Sequence, residues 1–320
     1  MERLIGLDIG GTKSAVVRGA CHGDTLRVTA REAFPTAECP APGDALARMA
    51  ALIDKLCPEG APEAIGISCG GPLDSARGLI LSPPNLPGWD HVPVARYFAE
   101  RFAAPAALQN DANACAVAEW RFGAGRGTRH MAFLTCGTGL GAGLILGGRL
   151  YGGASGMAGE AGHIRLERFG PVGYGKAGSF EGFCSGGGIA QLAGQALAAA
   201  RQRGERIALE DTLCDAKSVF ALARSGDPPC LAIVDTVARS LGRGLAVLID
   251  ILNLEVIVAG GIYARNADLL YPAAWETVQA EALPAAVRAC RLAPAALGEA
   301  IGDMAALSAA LGALYPEEML

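Results

Sequence analysis

The stretch Leu4-Ile5-Gly6-Leu7-Asp8-Ile9-Gly10-Gly11-Thr12-Lys13 governs how the rest of the chain is read. Leu4 to Leu7 is a short apolar strand that carries a carboxylate, Asp8, up to a pair of glycines. Those glycines permit backbone geometry and close approach that side chains would block. The chain then returns as a second strand, Ser14 to Arg18, and turns again at Gly23-Asp24 into a third, Thr25 to Glu32. Backbone N–H groups and the Thr12 hydroxyl in such a turn can face a phosphate, and Asp8 can hold a hydrated Mg²⁺. The spacing is not that of a Walker A loop, because Thr12 directly follows Gly11. The same residues also suit an ordinary hairpin with Asp8 capping it.

The pattern recurs. Met131 to Thr135 reads as a strand, Gly137 to Gly143 as a glycine-rich turn, and Leu144 to Leu146 as a returning strand, which points to a duplicated α/β unit. Gly137-Thr138-Gly139-Leu140-Gly141-Ala142-Gly143 nearly matches a dinucleotide fingerprint. Ala142 replaces its last glycine, however, and a strand follows instead of a helix. A second phosphate-gripping hairpin fits better, with Thr138 near the β and γ phosphates. Between the two patterns lie a helix over 43–57, with Leu46, Met49, Ile53 and Leu56 at helical spacing, and a strand from Ala64 to Cys69 that runs into Gly70-Gly71-Pro72. Another strand ends at Leu108 and a helix covers 111–122. Later helices span 189–203, 216–224 and 231–252, followed by a buried strand over 255–259. A final helix, 305–314, is expected to pack back on the first domain. No linker separates the halves.

The 320 residues are half apolar (51%), with 18% charged and 6% aromatic, the composition of a compact globular enzyme of one large or two smaller domains. A net charge of −5 gives no broad attraction for a polyanion and disfavours nucleic-acid binding. The ten cysteines form no C-x-x-C pair, and Asp8 interrupts the first apolar run before a signal sequence could develop. Free thiols in a reducing cytosol follow. Asp250, Asn253 and Glu255 interrupt the most apolar late stretch and argue against a membrane span.

Three further segments can carry chemistry. Asn110-Asp111 sits where a strand becomes a helix, so its carboxylate can accept a proton from a substrate hydroxyl, or the pair can simply cap the helix. Glu160-Ala161-Gly162-His163, and Glu181 with Ser185-Gly186, offer the paired acceptors and donor–acceptor groups that hold sugar hydroxyls. His22, His91 and His130 read as ordinary solvated or core residues.

Taken together and in order, these segments resemble the ROK family (repressors, open reading frames and sugar kinases). The resemblance also takes in Pro84-Asn85-Leu86-Pro87-Gly88-Trp89, Gly226-Asp227, and the run from Leu252-Asn253 to Gly260-Gly261. It implies an α/β, actin-like ATPase, ribonuclease-H-like fold of two lobes. Residues 1–110 would form the N-terminal lobe, completed by a C-terminal helix over 303–320. Residues 111–302 would form the C-terminal lobe, with the ATP-binding and sugar-contacting loops. By the same resemblance, Asp111 is the general base. Gly71, Asn85, Asn110, Asp111, Glu160, His163 and Glu181 line the sugar site. Asp8, Gly10, Gly11, Thr12, Lys13, Thr138 and Gly139 serve the phosphates and a water-bridged Mg²⁺, and Gly260 and Gly261 sit against the adenosine.

Members of the family often carry C-x-C-G-x-x-G-C-x-E, whose thiolates join a histidine on zinc. Here Val172, Tyr174 and Ser179 stand at the cysteine positions, and Cys184 lies on the other side of Glu181, so no zinc is expected. The imidazole nitrogen thus freed on His163 needs another hydrogen-bond partner, for which Tyr174 or Ser179 is available. The resemblance implies a cytoplasmic homodimeric kinase using ATP and Mg²⁺, with glucose as the first choice of hexose. N-acetylmannosamine, N-acetylglucosamine, fructose and allose are the alternatives. A repressor is disfavoured because the first strand begins at Leu4. A sugar-responsive protein without catalysis is disfavoured because both Asp8 and Asp111 are retained.

Overall fold

Three antiparallel strands, β1 (Leu4–Ile9), β2 (Lys13–His22) and β3 (Thr25–Pro35), open the chain. The computed structural model describes Met1 and residues 3–316, the side chain of Asp211 apart. β1 is buried along nearly its whole length, whereas β3 alternates between buried and exposed positions, as a central and an outer strand should. Helix α1 (Pro42–Leu56) starts with a proline, whose missing N–H costs nothing at that position, and buries Leu46, Met49 and Ile53 along one stripe. β4 (Ala64–Cys69) then lies parallel to β1. A small hairpin of β5 (Leu73–Asp74) and β6 (Leu79–Ile80) follows. Helix α2 (Val94–Phe102) buries Val94, Phe98 and Phe102 at four-residue spacing. β7 (Ala106–Asn110) pairs parallel with β4 and leads directly into α3 (Asp111–Phe122). The sheet order is β3-β2-β1-β4-β7.

The second sheet repeats that plan. β8 (Met131–Cys136), β9 (Leu140–Leu146) and β10 (Arg149–Leu150) form the antiparallel run. After them comes a two-strand hairpin, β11 (Val172–Gly173) with β12 (Lys176–Ala177). Four helices follow: α4 (Phe180–Cys184), α5 (Gly186–Gln202), α6 (Ala216–Arg224) and α7 (Pro228–Leu252). The Asp227 carboxylate caps α7 by accepting the Cys230 N–H at 3.1 Å, and Asn253 ends the helix in the left-handed conformation. β13 (Val256–Ala259) lies parallel to β8. Helices α8 (Gly261–Arg265), α9 (Ala267–Glu281) and α10 (Pro284–Ala289) then lead to β14 (Arg291–Pro294), which is parallel to β13. The order, β10-β9-β8-β13-β14, matches the first sheet strand for strand.

The last helix, α11 (Ile301–Leu314), is apolar around most of its circumference, the mark of a helix enclosed on several sides. It packs on β1, β4 and α3. A methyl group at Gly66 of β4 would strike the Ala306 carbonyl and the Ala310 amide, so helix and strand touch backbone to backbone. Of the segment expected as a helix over 303–320, residues 317–320 lie outside the described residues.

Two compact units result. One comprises Met1–Arg129, Gly143–Ala158 and the segment from Ala296 on; the other comprises His130–Ala142 and Gly159–Ala295. The chain thus leaves the first unit after Arg129, and not at residue 110 as the sequence suggested. The reason is that α3 packs against α11, and the buried Glu119 of α3 accepts the N–H groups of Ala124 (2.7 Å) and Leu297 (2.9 Å). Among the described residues no helix is long and apolar enough to cross a membrane.

Candidate active site

In the first unit, β1 ends on Asp8 and Ile9, and the glycine turn closes with the Gly10 N–H donating to the Lys13 carbonyl at 3.1 Å. A residue the sequence did not single out fixes the turn from outside. Thr36 donates its hydroxyl to the Gly10 carbonyl (2.6 Å) and its N–H to the Thr12 carbonyl (3.0 Å), while the buried Ser14 hydroxyl sits 3.1 Å from its oxygen. Thr12 and Lys13 are left exposed. Gly11 lies directly against Asn85, whose backbone carbonyl and Cβ would stand 2.6 and 2.7 Å from a Cβ added there. Asn85 itself is exposed, in a loop anchored by the buried Pro83 before it and the buried Leu86 and Trp89 after it.

The turn after β4 completes this group. Positions just off Gly70 lie 3.8 Å from both the Asn85 Nδ2 and the Asp111 Oδ2, and a position off Gly71 lies 3.6 Å from the Asn110 Nδ2. Asn110 is the N-cap of α3: its Oδ1 accepts the N–H groups of Ala112 (3.0 Å) and Asn113 (3.4 Å), leaving the amide NH₂ as a donor. Asp111 is the first helical residue and gives one carboxylate oxygen to the Ala112 N–H at 2.8 Å. The cap and the candidate base are therefore neighbouring residues with separate tasks. Gln109, also unforeseen, braces the junction by accepting from the Asn110 N–H at 2.9 Å.

The electrostatics of this group are those of crowded carboxylates. Burial, then the neighbouring Asp111 and Asp303 carboxylates, push the Asp8 carboxyl up to about 6, against the opposing pull of Arg31 and Lys13. Asp303, in the first turn of α11, is held by Arg31 with Nε 2.8 Å from Oδ2. Asp111 keeps an exposed surface, yet loss of surrounding water raises its pKa too, with the Ala112 N–H pulling the other way.

The second unit holds the other half of the expected residues. Its glycine turn closes with the Gly137 N–H donating to the Gly139 carbonyl (3.0 Å) and is braced by the Gly186 N–H on the Gly137 carbonyl (2.8 Å). Gly186 begins α5, which Ser185 caps by accepting the Gly188 N–H at 3.1 Å. The positive end of a helix thus abuts this turn beside the exposed Thr138. Gly261, at φ +58°, starts α8 so close that a side chain would strike the Cys136 carbonyl, and the Gly260 N–H donates to the Leu134 carbonyl at 2.9 Å. Gly137, Gly186, Gly260 and Gly261 therefore meet at one place.

Glu181 of α4 reaches the far side of the same turn. Its Oε2 accepts the Leu140 N–H at 3.0 Å and would lie 2.7 Å from a Cβ at Gly139, while Gly162 and Gly173 pack against its stem. Glu160 is exposed, one residue before the short 3₁₀ turn Ala161–His163. The expected hydrogen bond from Ser179 to His163 is not made. The buried Ser179 hydroxyl instead caps α4, accepting the Gly182 N–H at 3.0 Å. Tyr174 does reach His163, but ring against ring, with centroids 5.2 Å apart and planes at 80°. Cys184 is buried and donates weakly to the Val237 carbonyl. Among the described residues no three His, Cys, Asp or Glu side chains gather as a metal-holding group.

Asp8, Gly10, Gly11, Thr12, Lys13, Gly71, Asn85, Asn110 and Asp111 thus share one unit. Thr138, Gly139, Glu160, His163, Glu181, Gly260 and Gly261 share the other.

The ROK family model matches residues 4–312. The chain is 32% identical over 308 residues to a glucokinase of Thermotoga maritima, covering 96% of both chains. It is 32% identical over 258 residues to an N-acetylmannosamine kinase of Citrobacter koseri, covering 80% of this chain and 82% of that one. The solved structure of a ROK family glucokinase from Streptomyces griseus, in complex with glucose and AMPPNP, superposes with a TM-score of 0.74 at 29% identity. That match covers 96% of this chain and 98% of the other. With its α/β, actin-like ATPase fold, the chain belongs to the ROK family and is an ATP-dependent sugar kinase.

Proposed function

We propose that the sugar is glucose, phosphorylated on its 6-hydroxyl, with Asp111 as general base. The identity to the Thermotoga maritima glucokinase supports glucose, and the placing of Asp111 supports its role as base. One of its carboxylate oxygens is tied to the Ala112 N–H, and the other faces the Gly70 turn in the company of Asn85 and Asn110. A carboxylate of raised pKa is a stronger proton acceptor, and it takes the hydroxyl proton as the sugar oxygen bonds to the γ-phosphorus. The bond from that phosphorus to the bridging oxygen breaks and ADP leaves. Asn85, the free amide of Asn110, Gly71, Glu160, His163 and Glu181 hold the sugar hydroxyls. Gly10, Gly11, Thr12, Lys13, Thr138 and Gly139 hold the phosphates, and Gly260 and Gly261 flank the adenosine.

Asp8 fits contact through water with a hydrated divalent cation, since a positive charge offsets the burial and the Asp111 and Asp303 repulsion that raise its carboxyl. Asp8 would hold such an ion, Mg²⁺, through water, and the ion would screen the phosphate charge. The Val172, Tyr174 and Ser179 side chains do not fit a thiolate zinc site. The reading places the enzyme in the cytoplasm as a homodimer with no nucleic-acid partner.

A second reading, an N-acetylmannosamine kinase, rests on the equal identity to the Citrobacter koseri enzyme. N-acetylglucosamine, fructose and allose complete the panel. An ADP-coupled assay of these hexoses with ATP and Mg²⁺ tests the proposal. Glucose is expected to give the highest kcat/KM, and a higher value on N-acetylmannosamine would transfer the assignment to it.

A further inference from the structure

The β11–β12 hairpin carries a tyrosine where its backbone would be better served by glycine. The two turn residues, Tyr174 and Gly175, both have positive φ, +43° and +76°. That is the backbone of the tightest hairpins, adopted readily by glycine and asparagine and at a cost by a bulky side chain. Burial does not offset the cost, because Tyr174 is 71% exposed. What the ring does have is the contact with His163, 5.2 Å between centroids at 80°.

One strand below the turn is tied to the same residue, and both are anchored to their surroundings. The Lys176 ammonium donates to the main-chain carbonyl of His163 at 2.7 Å. Arg165 donates to the Ala177 carbonyl at 2.6 Å. Gln191 of α5 clamps Val172 from both sides, accepting its N–H at 2.8 Å and donating to its carbonyl at 2.9 Å. The hairpin therefore grips His163 by its backbone and sets an aromatic ring against its imidazole. Among the described residues no hydrogen bond to the imidazole is made, and the Tyr174 ring lies against it.

We propose that Tyr174 is a positioning residue for the sugar site: held out by the hairpin that Lys176 and Gln191 anchor, its ring fixes the plane of the His163 imidazole toward the sugar hydroxyls. This rests on the reading of His163 as a sugar contact. Replacing the ring by glycine should relax the backbone and free the imidazole together, so stability and function should move in opposite directions.

In Tyr174→Gly the melting temperature stays level or rises. The KM for sugar rises about tenfold, the scale of one imperfect hydrogen bond, while kcat and the KM for ATP stay close to wild type. Tyr174→Phe, which keeps the ring, restores the sugar KM. In a His163→Gln background, Tyr174→Gly adds no further loss. If His163→Gln raises the sugar KM and Tyr174→Gly does not, or if Tyr174→Gly lowers the melting temperature in step with its effect on KM, the positioning role is wrong. If His163→Gln leaves the sugar KM untouched, the assignment of His163 itself falls, and the role of Tyr174 with it.

Discussion

The turn after β1 and the turn after β8 occupy the same place in matching sheets, yet only the first carries charged side chains, Asp8 and Lys13. Two residues before its first glycine, the β1 turn carries Asp8; at the same distance the β8 turn carries Thr135. The first is braced by a side-chain hydroxyl, that of Thr36, and shares its surroundings with the Asp111 and Asp303 carboxylates. The second is braced by the backbone amide of Gly186, at the start of a 17-residue helix with no acidic residue in its first turn. On the reading proposed above, both turns offer backbone donors to phosphates, and the first adds a carboxylate for a hydrated cation where the second adds a helix N-terminus. A duplicated strand–turn–strand fixes where backbone amides point, and a few side chains per copy decide what they receive.

The comparison is broken most severely through Asp111. If the first unit supplies the proton acceptor, Asp111→Ala should lower kcat by about two to four orders of magnitude while sugar KM changes little, as steady-state kinetics will register. Equal losses in kcat and sugar affinity would make Asp111 a positioning group and remove the contrast between the two units.

The next effect concerns Asp8 and pH. Its carboxyl is raised from 3.8 to about 6, so the folded state binds the proton more tightly than the unfolded chain does. The penalty is absent below both values, grows as pH rises between them, and is complete above about 6, at up to about 3 kcal/mol. Asp8→Asn should therefore raise the melting temperature of the ligand-free protein at pH 7 and raise it far less at pH 4. The same variant should lower kcat/KM about tenfold or more and weaken the dependence on Mg²⁺. Wild-type kcat/KM should decline as pH falls through about 6. A melting-temperature gain of equal size at both pH values would show that Asp8 is not held in its raised state.

The smallest effect sharpens the second half of the comparison. Gly139→Ala places a methyl group 2.7 Å from the Glu181 Oε2, which must swing off the Leu140 N–H. The expected outcome is a rise of about tenfold in sugar KM with kcat nearly unchanged. A rise confined to the KM for ATP would instead assign the turn to phosphates alone.

Much of this architecture was legible along the chain because it is local. Asp8 and Gly10 announce a strand and its turn within three residues, Asn110 caps the helix that begins beside it, and the apolar run in α11 requires enclosure. The repeat of strand, turn and strand was visible for the same reason. What escaped notice depends on pairs far apart in sequence. Thr36 reaches back 26 residues to Gly10, and Arg31 meets Asp303 across 272. Nor did residue 110 mark the edge of the first unit. The bond from Glu119 to the Leu297 N–H, 178 residues away, keeps α3 within it, and no local pattern announces such a bond. Tyr174 meets His163 by a different interaction from the one its hydroxyl offers. Its hydroxyl suggested a hydrogen bond, but the left-handed turn delivers the ring.

The backbone seam between Gly66 and α11 bears on how the protein is made. During synthesis, β1 and β4 emerge long before Ile301–Leu314, the helix whose carbonyls and amides press directly on them. The β13–β14 edge of the second sheet, by contrast, is complete at Pro294. The sheet that comes off the ribosome first is thus the one whose packing closes last, and until then the face meant for α11 stays uncovered.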